Sequence, residues 1–278
     1  MISILLSLSA YGMLVCMDSI AKHLINFLSV NQIIWGRYFF HFIFTILIIL
    51  IFKIKINLKK DYKNQVLRSF LLIIGTVFMY IALKELDLVN IFIIYSTSPL
   101  FLVLFSIIFL KEKISLLGII LMFLSFLVIT YSLEISADFL NIYIIFPILL
   151  AISFALYQLV TKKISHNKDP FAAVFYSGLL GSLFFSVYLF LDYKNFTNDF
   201  WLYLILIGLL GFFSHLFLIL AIQYSNVSFV SYFQYSQLIW ASIINVLFFN
   251  IDLTNQKIIG IVLIVFFGIL FIKKELNN

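Results

Sequence analysis

Apolar runs follow one another along the whole chain, and short clusters of polar residues separate them. A bilayer-crossing helix needs about 20 mostly apolar residues. On that measure the pattern predicts ten spans, at 3–22, 32–52, 66–84, 89–110, 114–133, 141–161, 170–191, 201–222, 228–249 and 256–273. The longest connection, KIKINLKKDYKNQ, is too short to fold as a separate domain. The first run lacks a basic leading region and a small-residue cleavage site, so it is expected to remain as a span.

Composition agrees with lipid as the solvent. Of 278 residues, 64% are hydrophobic and 11% charged, whereas a soluble domain carries roughly a quarter charged residues. The fold class expected is all-α integral membrane. Thirteen of the eighteen Lys and Arg residues fall on one side if the N-terminus is cytoplasmic, among them Lys53, Lys59, Lys63, Arg68, Lys111, Lys162 and Lys273. Basic loops mark the cytoplasmic face, so both termini are expected there. The basic balance is thereby a matter of topology and implies no nucleic-acid partner. Arg37 alone is expected to be buried. The single cysteine, Cys16, allows no internal disulfide.

The pattern also repeats. SLSAYGMLVCMDSIAK answers LLAISFALYQLVTKK, with Lys22 matching Lys162, and ALKELDLVNIFIIYSTSP answers AIQYSNVSFVSYFQYSQL. Five spans per half reverse the second half relative to the first. The expected architecture is ten transmembrane helices as two inverted five-helix repeats, at 1–135 and 140–275. A substrate site would lie between them at mid-membrane.

Charges at that depth cost about 2.5–3.5 kcal/mol each, so Asp18 and Arg37 need an explanation. They lie at similar distances on either side of the turn between spans one and two, at equal depth in a hairpin. On span one, Tyr11, Asp18 and Lys22 share one face; on span two, Arg37 and His41 are a turn apart. Two readings stay open: a substrate-binding seam, or a static ion pair that locks the hairpin. Span four carries Tyr95-Ser96-Thr97-Ser98 before Pro99, where a helix break is expected. Span six offers Tyr157 and Gln158, and span eight His215 beside Gly208 and Gly211. Span nine offers Gln234, Tyr235, Gln237 and Trp240, with Asn245 further along. Trp35 completes the set of candidate substrate contacts. No metal cluster, cofactor loop or catalytic motif is present, so no cofactor is expected and an embedded enzyme is the less favoured class.

MDSIAKHL, IIWGRYFFHFI, ALKELDLVNIFIIYSTSPLF and the KEK at Lys111–Lys113 resemble the first domain of the EamA-type drug/metabolite transporters. YQLVTKK, FYSGLLGS, SHLFLILAI and YFQYSQLIWASI resemble the second. The resemblance implies ten helices in two inverted repeats in a bacterial inner membrane, moving small organic metabolites by alternating access. Amino acids or related zwitterions are the leading expectation, and S-adenosylmethionine uptake, suggested by AISFALYQLVTKK, is the alternative. At the place equivalent to Pro99 the second half has Leu238, so proline announces only one helix break.

Overall fold

A computed structural model describes residues 1–86, 88–132, 142–189, 193–195, 198–249 and 255–276. The described residues are helical nearly throughout. The elements are α1 (Ile2–Leu24), α2 (Val30–Ile51), α3 (Tyr62–Glu85), α4 (Leu88–Tyr95), α5 (Ser98–Phe105), α6 (Leu116–Ser132), α7 (Ile145–Ile164), α8 (Pro170–Leu189), α9 (Asp199–Tyr224), α10 (Val227–Tyr232), α11 (Ser236–Phe249) and α12 (Asn255–Leu276). Among the described residues, six helical segments are long and apolar enough to cross a membrane: α1, α2, α3, α8, α9 and the stretch Ile142–Asn167 that contains α7. Asp87, Glu134, Asp138 and Asp192 lie outside the described residues, as does the side chain of Asn245.

Local chemistry sets the helix ends. Ser29 caps α2: its hydroxyl accepts from the Gln32 amide at 3.3 Å, and Gln32 Oε1 accepts from the Ser29 amide at 3.0 Å. This reciprocal box satisfies two of the donors a helix start leaves bare. Lysines close two C-termini. Lys22 Nζ donates to the carbonyls of Leu83 and Leu86 at 2.5 and 3.0 Å, and Lys162 Nζ to those of Ile222 and Ser225 at 3.2 and 2.6 Å. Each lysine, at the end of α1 or α7, thus holds the end of α3 or α9. A cation there meets both orphan carbonyls and the negative end of the helix dipole.

Two segments are broken. Between α4 and α5, Ser96 and Thr97 leave the helix, and the Thr97 hydroxyl donates to the Ile94 carbonyl at 2.7 Å. Proline one residue into α5 explains the stop, since its ring excludes the carbonyl four residues back. The second break, a 3₁₀ turn at Phe233–Tyr235 between α10 and α11, has no proline. There the Ser236 hydroxyl takes the Phe233 carbonyl at 2.7 Å, and Ser231 takes that of Ser228 at 2.8 Å. Hydroxyl back-bonds of this kind compete with the helical ladder. The start of α10 is closed by Glu112, whose carboxylate accepts from the Val227 and Ser228 amides at 3.0 and 3.3 Å and from the Ser228 hydroxyl at 2.7 Å.

Packing joins the two halves of the chain. α1 lies along α9, α3 along α7, α2 along α8 and α6 along α12, while α5 meets α7 and α11 meets α1. One apolar core runs through all of them, including Tyr11, Met17, Tyr38, Leu102, Phe154, Leu218 and Tyr235. The outer faces are apolar too. On α12, Ile259, Val262, Phe266 and Ile269 are all exposed, a stripe that lipid would cover and water would not.

Close approach of α2 to α9 depends on Gly208. A Cβ there would stand 2.3 Å from Phe40 Cβ and 2.9 Å from the His41 backbone nitrogen. Overpacking of this kind costs about 1–3 kcal/mol. Gly208→Ala is therefore expected to lower the unfolding temperature of the detergent-purified protein by several degrees. Gly75→Ala, whose new carbon meets Leu150 at an ordinary 3.5 Å, should leave it unchanged. Fluorescence-monitored melting of the two variants checks the contrast.

Candidate functional site

At the centre of the bundle α1, α2, α3, α4, α7, α9 and α11 line a narrow cleft of about 30 Å³. Leu14, Met17, Leu71, Leu72, Met79, Leu150 and Phe154 give most of its lining, with Asp18, Arg37, Thr76, Tyr95, His215 and Gln237 as the polar groups among them.

Arg37 is buried and donates from Nη2 to His215 Nε2 at 3.1 Å. A guanidinium can only donate, so Nε2 accepts and the imidazole is neutral with its proton on Nδ1. That proton is directed to the Tyr157 hydroxyl at 3.3 Å. Tyr157 also accepts from Arg68 Nη2 at 3.1 Å. Arg68 then donates through Nε to Thr161 at 2.9 Å, and through Nη1 to the Ala173 carbonyl and Ser177 at 2.7 and 3.3 Å, with its guanidinium 4.9 Å from the centre of the Tyr157 ring. The result is a continuous polar chain, Arg37–His215–Tyr157–Arg68, crossing α2, α9, α7 and α3.

Asp18 shares the cleft with Arg37 but is not within 4.0 Å of it; the ion pairs among the described residues are Lys84–Glu85 and His166–Asp61. The static ion pair, one of the two readings left open for the hairpin, is therefore not formed here. Asp18 is 6% exposed, and its Oδ1 has no hydrogen-bond partner. Gln237 Nε2, also in the cleft lining, is likewise bare, as are Ser98 Oγ and Gln234 Oε1 at the two helix breaks.

The sequence-derived candidates divide into three groups. Asp18, Arg37, Tyr95, His215 and Gln237 line the cleft. Tyr11, Tyr157, Gln158, Ser98 and Gln234 are buried outside its wall: Tyr11 donates to Gln158 Oε1 at 3.4 Å, leaving Gln158 Nε2 bare, and Gln234 Nε2 reaches the Tyr95 carbonyl at 3.4 Å. His41, Trp35, Tyr235 and Trp240 serve elsewhere. His41 Nε2 donates to the Val174 carbonyl at 3.1 Å, and its ring meets Phe212 edge-on. Trp35 stacks on Phe39 and donates to Ser186 at 3.1 Å. Tyr235 donates to the Met122 carbonyl at 3.1 Å, and Trp240 packs over Gly12 on the outer side of α1.

Arg68 corrects the reading of the basic residues. It was counted with the cytoplasmic lysines, yet it is fully buried. The physical reason is the start of α3 at Tyr62, which carries Arg68 nearly two turns into the bundle. Its signal was available in ring and hydroxyl partners at matching depth, Tyr157 and Thr161, one helical turn apart.

A bundle of apolar, membrane-length helices around a mainly apolar internal cleft defines a polytopic membrane protein. The EamA-like transporter family matches residues 1–133 and again 141–273, and the chain belongs to that family. It is thus a multi-pass membrane transporter of the drug/metabolite transporter superfamily. A solved structure titled "Crystal structure of protein" has the same fold, with a TM-score of 0.79 at 14% identity over 96% of this chain and 93% of that one. No curated protein matches the sequence.

Water reaching the cleft distinguishes its wall from the packed residues around it. With Cys16 replaced by serine, Met79→Cys is expected to react with a small charged thiosulfonate in membrane vesicles. Tyr235→Cys, sealed against α6, should not react; labelling followed by mass measurement decides.

Proposed function

We propose that this transporter is a secondary carrier that moves small zwitterionic organic metabolites, amino acids or their relatives, by alternating access. The observation that carries the reading is the bare Asp18 carboxylate oxygen in the cleft that Arg37 also lines. A buried polar group without a partner costs about 1–3 kcal/mol, more when charged. A solute ammonium would meet Asp18, and a solute carboxylate the Arg37 guanidinium and the bare Gln237 amide. The leucines, methionines and Phe154 of the lining suit its side chain.

The working architecture is two inverted five-helix repeats, 1–135 and 140–275, with ten spans and both termini cytoplasmic in a bacterial inner membrane. The two lysine caps support it. Lys22 and Lys162 are 140 residues apart, and the carbonyls they hold, Leu83 with Ile222 and Leu86 with Ser225, are each 139 apart. The pairing of α1 with α9 beside α7 with α3 follows the same exchange of halves. Rocking of one bundle on the other would then open the cleft to each side in turn.

The S-adenosylmethionine alternative calls for aromatic faces around a sulfonium. Only Tyr95 and Phe154 supply them at the cleft wall, so the observations favour the zwitterion. A membrane-embedded enzyme has less support, since the family is one of transporters.

Counterflow in proteoliposomes, preloaded with neutral and aromatic amino acids or with S-adenosylmethionine, tests the reading. Labelled amino acid is expected to accumulate, and Asp18→Asn and Arg37→Gln are each expected to cut exchange at least tenfold at unchanged folded yield. Accumulation of S-adenosylmethionine alone, or full exchange by either variant, refutes the clamp.

A further inference from the structure

We propose that Arg68, which does not line the cleft, is a positioning residue for solute recognition and acts on Arg37 through Tyr157 and His215. The proposal rests on the zwitterion reading of the cleft and adds to it the device that aims the guanidinium.

The argument starts from the cost of Arg68. It is fully buried, and its partners among the described residues are neutral: two hydroxyls of α7, a carbonyl and a hydroxyl of α8, and one aromatic face. A guanidinium held at this depth without a carboxylate is an expensive way to join helices. The joint itself is served by other contacts, since α3 packs along α7 and Ser69 meets Ser177 at 3.3 Å. What Arg68 adds is direction. Its Nη2 donates to the Tyr157 oxygen, and the ring lies against the guanidinium, so the phenol is fixed in both position and orientation. The fixed oxygen receives the Nδ1 proton of His215 and leaves Nε2 as a bare acceptor facing Arg37.

Both ends of this chain are donors that cannot change role. Arg37 donates at one end and Arg68 at the other, and His215 between them has one consistent tautomer. His215 therefore occupies one N–H edge of Arg37, whose side chain also lines the cleft. Without Arg68, Tyr157 and the imidazole lose their anchor, and the guanidinium loses its fixed orientation.

The test has one arm that needs no solute. Nitrogen-15 spectra of histidine side chains in nanodiscs resolve the four histidines of the chain, and His215→Asn assigns the signal. In the wild type His215 should show a protonated Nδ1 and an acceptor Nε2, and Arg68→Gln should shift both. Tyr157→Phe, which keeps the ring and the charge of Arg68, should do the same if the glutamine variant fails to fold. Unmoved His215 signals in folded variants overturn the relay. The second arm is counterflow with the amino acid the wild type exchanges. Arg68→Gln should raise the apparent KM at least tenfold with the maximal rate within twofold, and should erase the preference for the carboxylate over its carboxamide analogue. Arg68→Lys should recover part of that preference. Equal loss for carboxylate and carboxamide marks Arg68 as structural and overturns the proposal. A wild type that exchanges no zwitterion fails the functional reading alone, and the spectra still decide the relay.

Discussion

Two guanidinium groups buried inside a lipid-solvated bundle, neither within ion-pair distance of a carboxylate among the described residues, constrain much of the structure around them. Charge at this depth is tolerated only when its donors are met. For Arg68 the protein answers with the ends of α7 and α8, which bring Thr161, Ser177, the Ala173 carbonyl and the face of Tyr157 into reach. For Arg37 it answers with His215 on α9 and the ring of Tyr38 at 5.5 Å. The close packing of α2 on α8 and α9 follows from the same need. Gly178 and Gly208 allow the backbones near enough for an imidazole to reach a guanidinium across the interface.

Helix termini inside a membrane protein raise the same problem for the backbone, because no water is present to take unpaired groups. The two breaks lie beside the cleft, with Tyr95 ending α4 and Gln237 opening α11. Each is met by hydroxyls, and the start of α10 is met by Glu112 reaching across from the other half of the chain. Lys22 and Lys162 meet the ends of α3 and α9 in matching fashion. These are contacts between elements, so a rearrangement of the bundle has to exchange or carry them. They are also polar and part-buried, which makes their exchange for water affordable where the apolar core would not be.

Hydropathy made the helices legible because lipid enforces one length and one composition on every span. It also exposed Asp18, Arg37 and His215, whose polarity stands out against Ile, Leu and Phe. Helix rotation was not legible. Trp35 and Trp240 carry the same chemistry as a binding-site aromatic, and only packing shows that one faces Ser186 and the other Gly12. Arg68 was hidden by its neighbours, since a cation six residues into a helix reads like the lysines that precede it. The second break was hidden for a different reason: it is built from serine back-bonds, which leave a weaker mark than proline does at Pro99.

The separation of Asp18 from Arg37 follows from how a carrier must bind. Opposite charges that close on each other in a dry cleft satisfy themselves, and a solute then has to break the pair before gaining either contact. A direct ion pair would stabilise the empty protein and weaken the loaded one by the same interaction. Here His215 occupies one edge of Arg37, and Asp18 keeps an oxygen unpartnered. Much of the desolvation of both groups is met in folding rather than at binding, and the attraction between them is left unspent. On the proposed reading, a zwitterion entering the cleft would supply the missing charges at both ends, and the energy withheld from the empty state would become selectivity for a solute carrying both.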